Sequence, residues 1–398
     1  RRAAPSRRGG PRASGPVVTA RLVAAGGFDA AGAPDPLVDV VVALHDLSRP
    51  VARTVRSVFA LPGHEVVEEG RLRVTVACHE LDASDVAAVL PDDLRRCVRL
   101  LEVRDGLGSP SGPYNAGIDA ATAPYVTIIG SDDFFEPGAL LAWRARAEES
   151  GAEMVLARMT MQGGAPINTP RVRPRRTTRL DAVKDRMAYR TAPLGLMRRE
   201  SLSDLGLRLD EGMKVGGDIA FTVRLWDLAE RIDLAWDDPA YVVGVDAQTR
   251  VTTTVRPLAV SLAPYTALLA RDWFPRLPRA YQRAVAIKVL RIHVLDNVGR
   301  RDAVDLWADG EADYLRDVVS SLVAVAPRVL RPFSAADRLV LDACLDPAST
   351  PQSLVAAASA RSRSGRLARL LPPGPAGLLG ALDRESTLRY YAADRFWR

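Results

Sequence analysis

Apolar and polar positions alternate along the first two-thirds of the chain in short blocks of two kinds. Residues 38–44 form an apolar run broken only by Asp39, the texture of a strand buried on both faces. The run ends at His45-Asp46, and residues 49–61 then carry Val51, Val55, Val58 and Phe59 at helical spacing. Further strands are predicted over 72–78, 98–103, 125–129 and 154–159, with helices over 83–90, 115–121 and 137–150. Pro124 stops one of these helices, and Pro137 suits the first turn of another, where a missing N–H costs nothing. Such alternation predicts an α/β fold, a mostly parallel sheet flanked by helices on both faces.

Beyond Pro257 the pattern changes. Helical periodicity dominates, with segments near 261–271, 280–298, 313–325 and 335–345 separated by Gly and Pro. Three regions are therefore expected: a flexible Arg/Pro/Gly-rich tail over 1–36, an α/β domain over 37–255 and an all-helical C-terminal domain over 256–398. No internal repeat stands out.

Composition narrows the function classes. With 47% hydrophobic and 26% charged residues the chain should fold as a globular protein, and no apolar run approaches the ~18 residues of a membrane-spanning helix. The formal charge of +6 invites a nucleic-acid reading, but only Lys184, Lys214 and Lys288 are lysines among 54 basic residues. An arginine bias alongside abundant Ala and Pro reflects a GC-rich genome more than a binding patch, and no nucleic-acid partner is expected. Cys78, Cys97 and Cys344 are odd in number and widely spaced, which suits a reducing compartment. Residues 1–35 lack the apolar core of a secretory signal, so the expected location is cytoplasmic, at or near the inner face of the membrane. The basic amphipathic stretch 366–371 either rests on a membrane surface or packs on the domain.

In an open parallel sheet, ligands gather beyond the carboxyl ends of the strands. The strand over 125–129 runs into Ser131-Asp132-Asp133, throwing two adjacent carboxylates into that crevice. Burying such a pair is costly unless a cation neutralises it, and a hard divalent ion that also binds phosphates is the natural partner. The alternative is a helix N-cap, since Asp ahead of a Pro-led helix is favourable in itself. The loop from Gly106 to Gly112 superficially fits a dinucleotide fingerprint, but Pro110 and Pro113 remove N–H groups a pyrophosphate would need. Neither a P-loop nor a Gly-x-Ser-x-Gly elbow is present.

The stretch Asn115-Ala-Gly117-Ile118-Asp-Ala-Ala121-Thr-Ala-Pro-Tyr125, the strand, then Gly130-Ser131-Asp132-Asp133 and Pro137 resembles the family-2-type glycosyltransferases of the GT-A fold. In that family the acidic cluster holds a metal that bridges the sugar-nucleotide diphosphate. The resemblance thus implies Mn²⁺ or Mg²⁺ at Asp132 and Asp133, with Gly130 standing where many members have a further Asp. A second landmark lies downstream. Gly195-Leu-Met-Arg198-Arg199-Glu200, Gly206-Leu-Arg-Leu209-Asp210-Glu211 and Gly216-Gly217-Asp218-Ile-Ala-Phe221-Thr-Val-Arg224-Leu225 follow the family pattern, with Gly217 in place of a Glu. By resemblance Asp218 is the general base that takes the acceptor's proton, a role that needs a carboxylate because an alcohol is a poor nucleophile while it keeps its proton. Asp218 also fits the N-cap of the helix that follows.

The resemblance weakens at the first two strands, where the family shapes its uracil and ribose pocket. Here His45, Asp46, His79 and Glu80 stand at those positions, and with Asn115 and Asp132 they are the expected donor-binding residues. Tyr114 stands where many members have Arg. The family implies a metal-dependent, inverting transfer from a nucleoside diphosphate sugar, a UDP-sugar foremost, to a hydroxyl of a cell-envelope polysaccharide, polyol polymer or lipid-linked acceptor. The alternative is a catalytically decayed saccharide-binding or scaffold protein on the same fold. The helical half either builds the acceptor side or mediates self-association.

Overall fold

The computed structural model describes residues 19–24, 35–64, 71–246, 255–374 and 377–395. In chain order the α/β half comprises β1 (Thr19–Ala24), β2 (Val38–Leu44), α1 (Val51–Phe59), β3 (Leu72–His79), α2 (Ala83–Val89), α3 (Asp92–Arg95) and β4 (Val98–Arg104). There follow α4 (Ser111–Asp119), β5 (Tyr125–Gly130), β6 (Phe134–Phe135), α5 (Ala139–Ser150), β7 (Met154–Ala157), β8 (Met159–Met161) and β9 (Pro166–Ile167). The half closes with β10 (Gly195–Arg198), α6 (Arg199–Asp204), α7 (Ile219–Leu228), β11 (Ile232–Ala235) and β12 (Tyr241–Val243).

The main sheet has eight strands in the order β1-β4-β3-β2-β5-β10-β7-β11. The β4-β3-β2-β5 block is parallel throughout, as is the β7-β11 pair, while β1 and β10 run antiparallel to their neighbours. A second sheet of four short strands, β6-β12-β8-β9, stands beside it. Every residue of β2 and of β3 is buried, which explains why their sequences read as near-continuous apolar runs rather than alternating ones. Val40, Val42 and Leu44 face α1 and α5 in one core, whereas Val41 faces the opposite core. There Gly117 of α4 lies so close that a Cβ would sit 2.1 Å from a Val41 methyl.

Two expectations need correction. Thr19–Ala24, inside the segment read as a flexible tail, forms an edge strand whose Thr19 pairs with Arg104 and Ala20 with Val103; β4 would otherwise present an open ladder. The rest of 1–34 lies outside the described residues. The helix expected from Pro137 starts at Ala139, because Gly138 takes a left-handed φ of 81° and donates its N–H to the Ala60 carbonyl.

The helical half contains α8 (Leu258–Ser261), α9 (Ala263–Leu269), α10 (Arg279–Lys288), α11 (Leu295–Gly299), α12 (Glu311–Ala324) and α13 (Ala335–Leu345). It ends with α14 (Pro351–Arg363), α15 (Arg366–Leu370), α16 (Gly377–Ala381) and α17 (Thr387–Arg395). A π-helical stretch, Val289–Val294, joins α10 to α11 without a break. These helices share one core with a face of the sheet: Val126, Met154 and Met197 pack in the same cluster as Phe221, Tyr265, Leu290 and Leu341. Buried ion pairs reinforce the junction, since Glu385 faces both Arg186 and Arg291. Among the described residues no helix is long and apolar enough to cross a membrane.

One buried charge organises the centre of the sheet. Asp39 on β2 accepts from Arg73 Nε at 2.6 Å and Nη2 at 2.8 Å, and from the backbone N–H groups of Thr122 and Ala123 at 2.8 Å. Removing the carboxylate strands a buried guanidinium and two amides, a change that typically costs ~3–5 kcal/mol. Asp39→Ala should lose stability of that order in urea denaturation, and a loss below about 1 kcal/mol would contradict this role.

Candidate active site

Strand register builds the lip of the site. Leu44 of β2 is level with Cys78 of β3, and Ala43 is level with Gly130 of β5, so three parallel strands end together. Of the next residues, His45 is exposed, whereas His79 and Ser131 are buried.

The acidic turn at this lip is held from all sides. The Thr54 hydroxyl of α1 donates to the carbonyls of Ser131 (3.1 Å) and Asp133 (2.6 Å), and the Arg53 guanidinium donates to the Asp132 carbonyl. From the second sheet, Tyr241 donates its hydroxyl to Asp133 Oδ2 at 2.5 Å, and the Gly244 N–H donates to Asp133 Oδ1 at 2.9 Å. A Cβ on Gly244 would fall 1.9 Å from the Asp132 carbonyl oxygen, so only glycine allows this approach. Burial pushes the Asp133 carboxyl up to about 6, against the pull of its two hydrogen bonds.

Asp132 and Asp133 therefore do different work. The capping alternative fails for both, because α5 starts six residues later with Gly138 at its N-cap. Asp133, expected as a metal ligand, accepts one hydrogen bond on each oxygen, from Tyr241 and from Gly244, and these fix the turn. Asp132 stays partly exposed, with its Oδ2 2.6 Å from Arg49 Nη1. Mg²⁺-type ions are commonly held by one or two carboxylates together with substrate phosphates. The donor set fits such an ion through Asp132, once Arg49 turns from the carboxylate towards phosphate.

The expected donor-binding residues divide in the same way. His45 lies at the exposed mouth, its pKa lowered by burial and by Arg49 while Asp46 and Asp132 oppose. Asp46 caps the start of the next turn, accepting from the Ser48 N–H at 2.9 Å. His79 is buried, with Nε2 2.8 Å from Asp105 Oδ1. Glu80, at a left-handed φ of 56°, accepts from the N–H groups of Asp105 and Gly106, both at 2.9 Å, and so closes the loop after β4. His79, Glu80 and Asp105 bring three potential ligand atoms within 4.8 Å of one another.

Asn115, expected in donor binding, is buried and hydrogen-bonded within the protein. Its Oδ1 accepts from the Leu209 N–H at 3.0 Å, and its Nδ2 donates to the Leu209 carbonyl (3.0 Å) and to Glu211 Oε1 (2.7 Å). The side chain is saturated, and it ties α4 to the segment that carries Asp218.

Asp218 sits at the N-cap position of α7, yet its side chain makes no capping hydrogen bond. Burial raises its pKa to about 6, with its own backbone N–H and Lys288 pulling the other way. Gly217, where the family has Glu, leaves no room for a side chain: a Cβ would meet Ser111 Oγ at 2.1 Å and the Asp210 carbonyl oxygen at 2.6 Å. Tyr114 on α4 lies within the fields of Asp133, Asp132 and Asp218, which together with burial raise its pKa. Tyr114 thus feels the charges of both the acidic turn and Asp218.

Sequence patterns gave no sign of Arg49, Arg53, Tyr241 or Lys288 at this site. The two arginines lie in an ordinary amphipathic helix region, and the other two reach the site from other parts of the fold. A folded pKa raised above the ordinary carboxylate value makes ionised Asp218 a cost to stability, absent below about pH 4 and complete above about pH 6. Asp218→Asn should therefore melt higher than the parent protein at pH 8, by a few degrees at most, with the gain shrinking towards pH 4. Melting curves across pH test this, and a pH-independent difference would contradict it.

Comparison with known proteins agrees with this architecture. The family model for glycosyl transferase family 2 matches residues 83–206. The succinoglycan biosynthesis protein ExoO of Rhizobium meliloti (strain 1021) is 29% identical over 121 residues, which cover 30% of this chain and 32% of ExoO, about a third of that protein's length. Crystal structures of S. aureus TarS 1–349 share the fold at 15% identity, covering 82% of this chain and 91% of theirs, with TM-scores of 0.61 alone and 0.65 in complex with UDP-GlcNAc. Residues 83–206 thus match glycosyl transferase family 2, and the chain as a whole shares the fold of the TarS structures, with a helical C-terminal region.

Proposed function

We propose that this enzyme transfers a hexosyl-type group from a nucleoside diphosphate sugar, a UDP-sugar foremost, to a hydroxyl of a cell-envelope polysaccharide or polyol-polymer acceptor, with inversion at the anomeric carbon. Similarity to TarS, crystallised with UDP-GlcNAc and with UDP, supports the donor class. Similarity to ExoO, named for succinoglycan biosynthesis, supports the acceptor class. Three free cysteines, two of them buried, suit work in the cytoplasm.

The observation that carries the reading is the juxtaposition at Tyr114. An acidic turn suited to a diphosphate and a raised-pKa carboxylate with no capping duty flank the same side chain. In a single in-line displacement, Asp218 removes the acceptor hydroxyl's proton as the oxygen attacks the anomeric carbon, while the bond to the nucleoside diphosphate breaks on the opposite side. Arg49 and the protein's hold on the acidic turn keep positive charge and fixed geometry where the diphosphate departs. A bound Mn²⁺ or Mg²⁺, held by Asp132, would supply charge neutralisation to that leaving group. His45 and His79 line the nucleotide side of the crevice.

Asp218→Asn should keep donor binding yet lose ~10²–10⁴-fold in kcat, and near-normal turnover in steady-state assays would reject the base. The parent activity should fall as pH drops through about 6, where Asp218 takes up its proton. Asp132→Ala should remove the metal dependence of UDP binding in calorimetric titrations with and without Mn²⁺. Unchanged Mn²⁺-linked affinity would place the ion elsewhere.

A further inference from the structure

The helical half sends one buried cation towards the base. Lys288, only 4% exposed, is the last residue of α10, immediately before the π-helical stretch Val289–Val294. Its Nζ lies 2.7 Å from Nε2 of His293, five residues on. In a regular α-helix residues i and i+5 diverge around the axis, whereas a π turn closes its rings between them, so the wide turn is what brings these side chains together. Tyr265 of α9 completes the group, stacking on His293 at 4.4 Å with its ring centroid 5.2 Å from the ammonium.

No salt bridge to Lys288 forms among the described residues. A small cavity of about 10 Å³ is lined by Lys288 and Tyr265 on one side and by Ile219 and Thr222, from the first turn of α7, on the other. That turn begins directly after Asp218. The carboxylate whose field reaches Lys288 is that of Asp218, and the effect is mutual. A buried, hydrogen-bonded ammonium without a paired carboxylate is expensive, and proteins that keep one commonly use its field.

We propose that Lys288, aligned by His293 across the π turn, is a positioning residue that favours the ionised form of Asp218, so that the helical half takes part in catalysis by tuning the base. This rests on the reading of Asp218 as the base. The other titratable or charged groups around this centre are Tyr265 and His293 from the helical half, Tyr114 from α4, and Arg190, which lines the same cavity from the segment before β10. The direction of the effect follows from charge. An ammonium stabilises the carboxylate, so its loss moves the protonation of Asp218 to higher pH. Burial lowers the Lys288 pKa to about 7, which confines the effect to neutral and acidic pH.

The test is the pH profile of kcat/KM for Lys288→Met, a substitution of similar length that needs no buried charge. The acid limb should move upward, so that the ratio of kcat/KM at pH 8 to that at pH 6 grows about threefold or more, with donor KM unchanged. Lys288→Arg should return the limb towards its parent position. A folded Lys288→Met with the parent's acid limb would overturn the inference, as would a loss equal at every pH. Should Lys288→Met fail to fold, the same outcomes are read on His293→Phe, which removes the acceptor and should move the limb in the same direction. Asp218→Asn run in parallel separates the two claims: near-normal turnover there removes the base itself, whereas an inactive Asp218→Asn beside an unshifted Lys288→Met removes only the tuning.

Discussion

Asp133 is a carboxylate that most folds would avoid, because it is buried beside a second acid and burial pushes its pKa up to about 6. Its value lies in what its two oxygens join. One accepts from Tyr241 and the other from Gly244, so the end of β5 in the main sheet is fastened to the end of β12 in the second sheet. Thr54 and Arg53 fasten the same turn to α1. With the turn pinned from three directions, the neighbouring Asp132 is presented at the lip in a fixed place. A site that must meet a diphosphate with little reorganisation needs this kind of prepaid geometry.

How much of this was legible in the sequence depends on how far apart the partners lie. The strand Val38–Leu44 and the helix Ala335–Leu345 were readable because burial on both faces, or on one stripe, leaves a local pattern. The acidic pair and Asp218 were singled out because resemblance to a family picks them by spacing. The hydrogen bonds of Asn115 were not legible because its partners, Leu209 and Glu211, are more than ninety residues away, and no local pattern announces a contact at that distance. The ties that hold Asp133 were hidden for the same reason, its partners lying over a hundred residues downstream. Lys288 and His293 meet only because a π turn changes the helical phase, and periodicity analysis assumes that phase is constant.

The expected division at residue 255 also looks different in three dimensions. Phe221 and Trp226 of α7 share a core with Tyr265, Tyr281 and Leu290, and Glu385 near the end of the chain is buried against Arg186 and Arg291. The helix that follows Asp218 is thus packed on one side by the sheet and on the other by the helical half. Gly217 adds to this, since Ser111 and the Asp210 carbonyl occupy the space a side chain would need there.

The central claim is that the turn at Asp132 receives the donor's diphosphate, and the most direct measurement is anomalous diffraction from crystals soaked with Mn²⁺ and UDP. The expected result is a manganese peak on the Asp132 carboxylate and the diphosphate, Arg49 turned towards phosphate, and Asp133 still bound to Tyr241 and Gly244. Nucleotide bound with the Arg49–Asp132 pair intact and no metal at that carboxylate, or a manganese peak among His79, Glu80 and Asp105 instead, would contradict it.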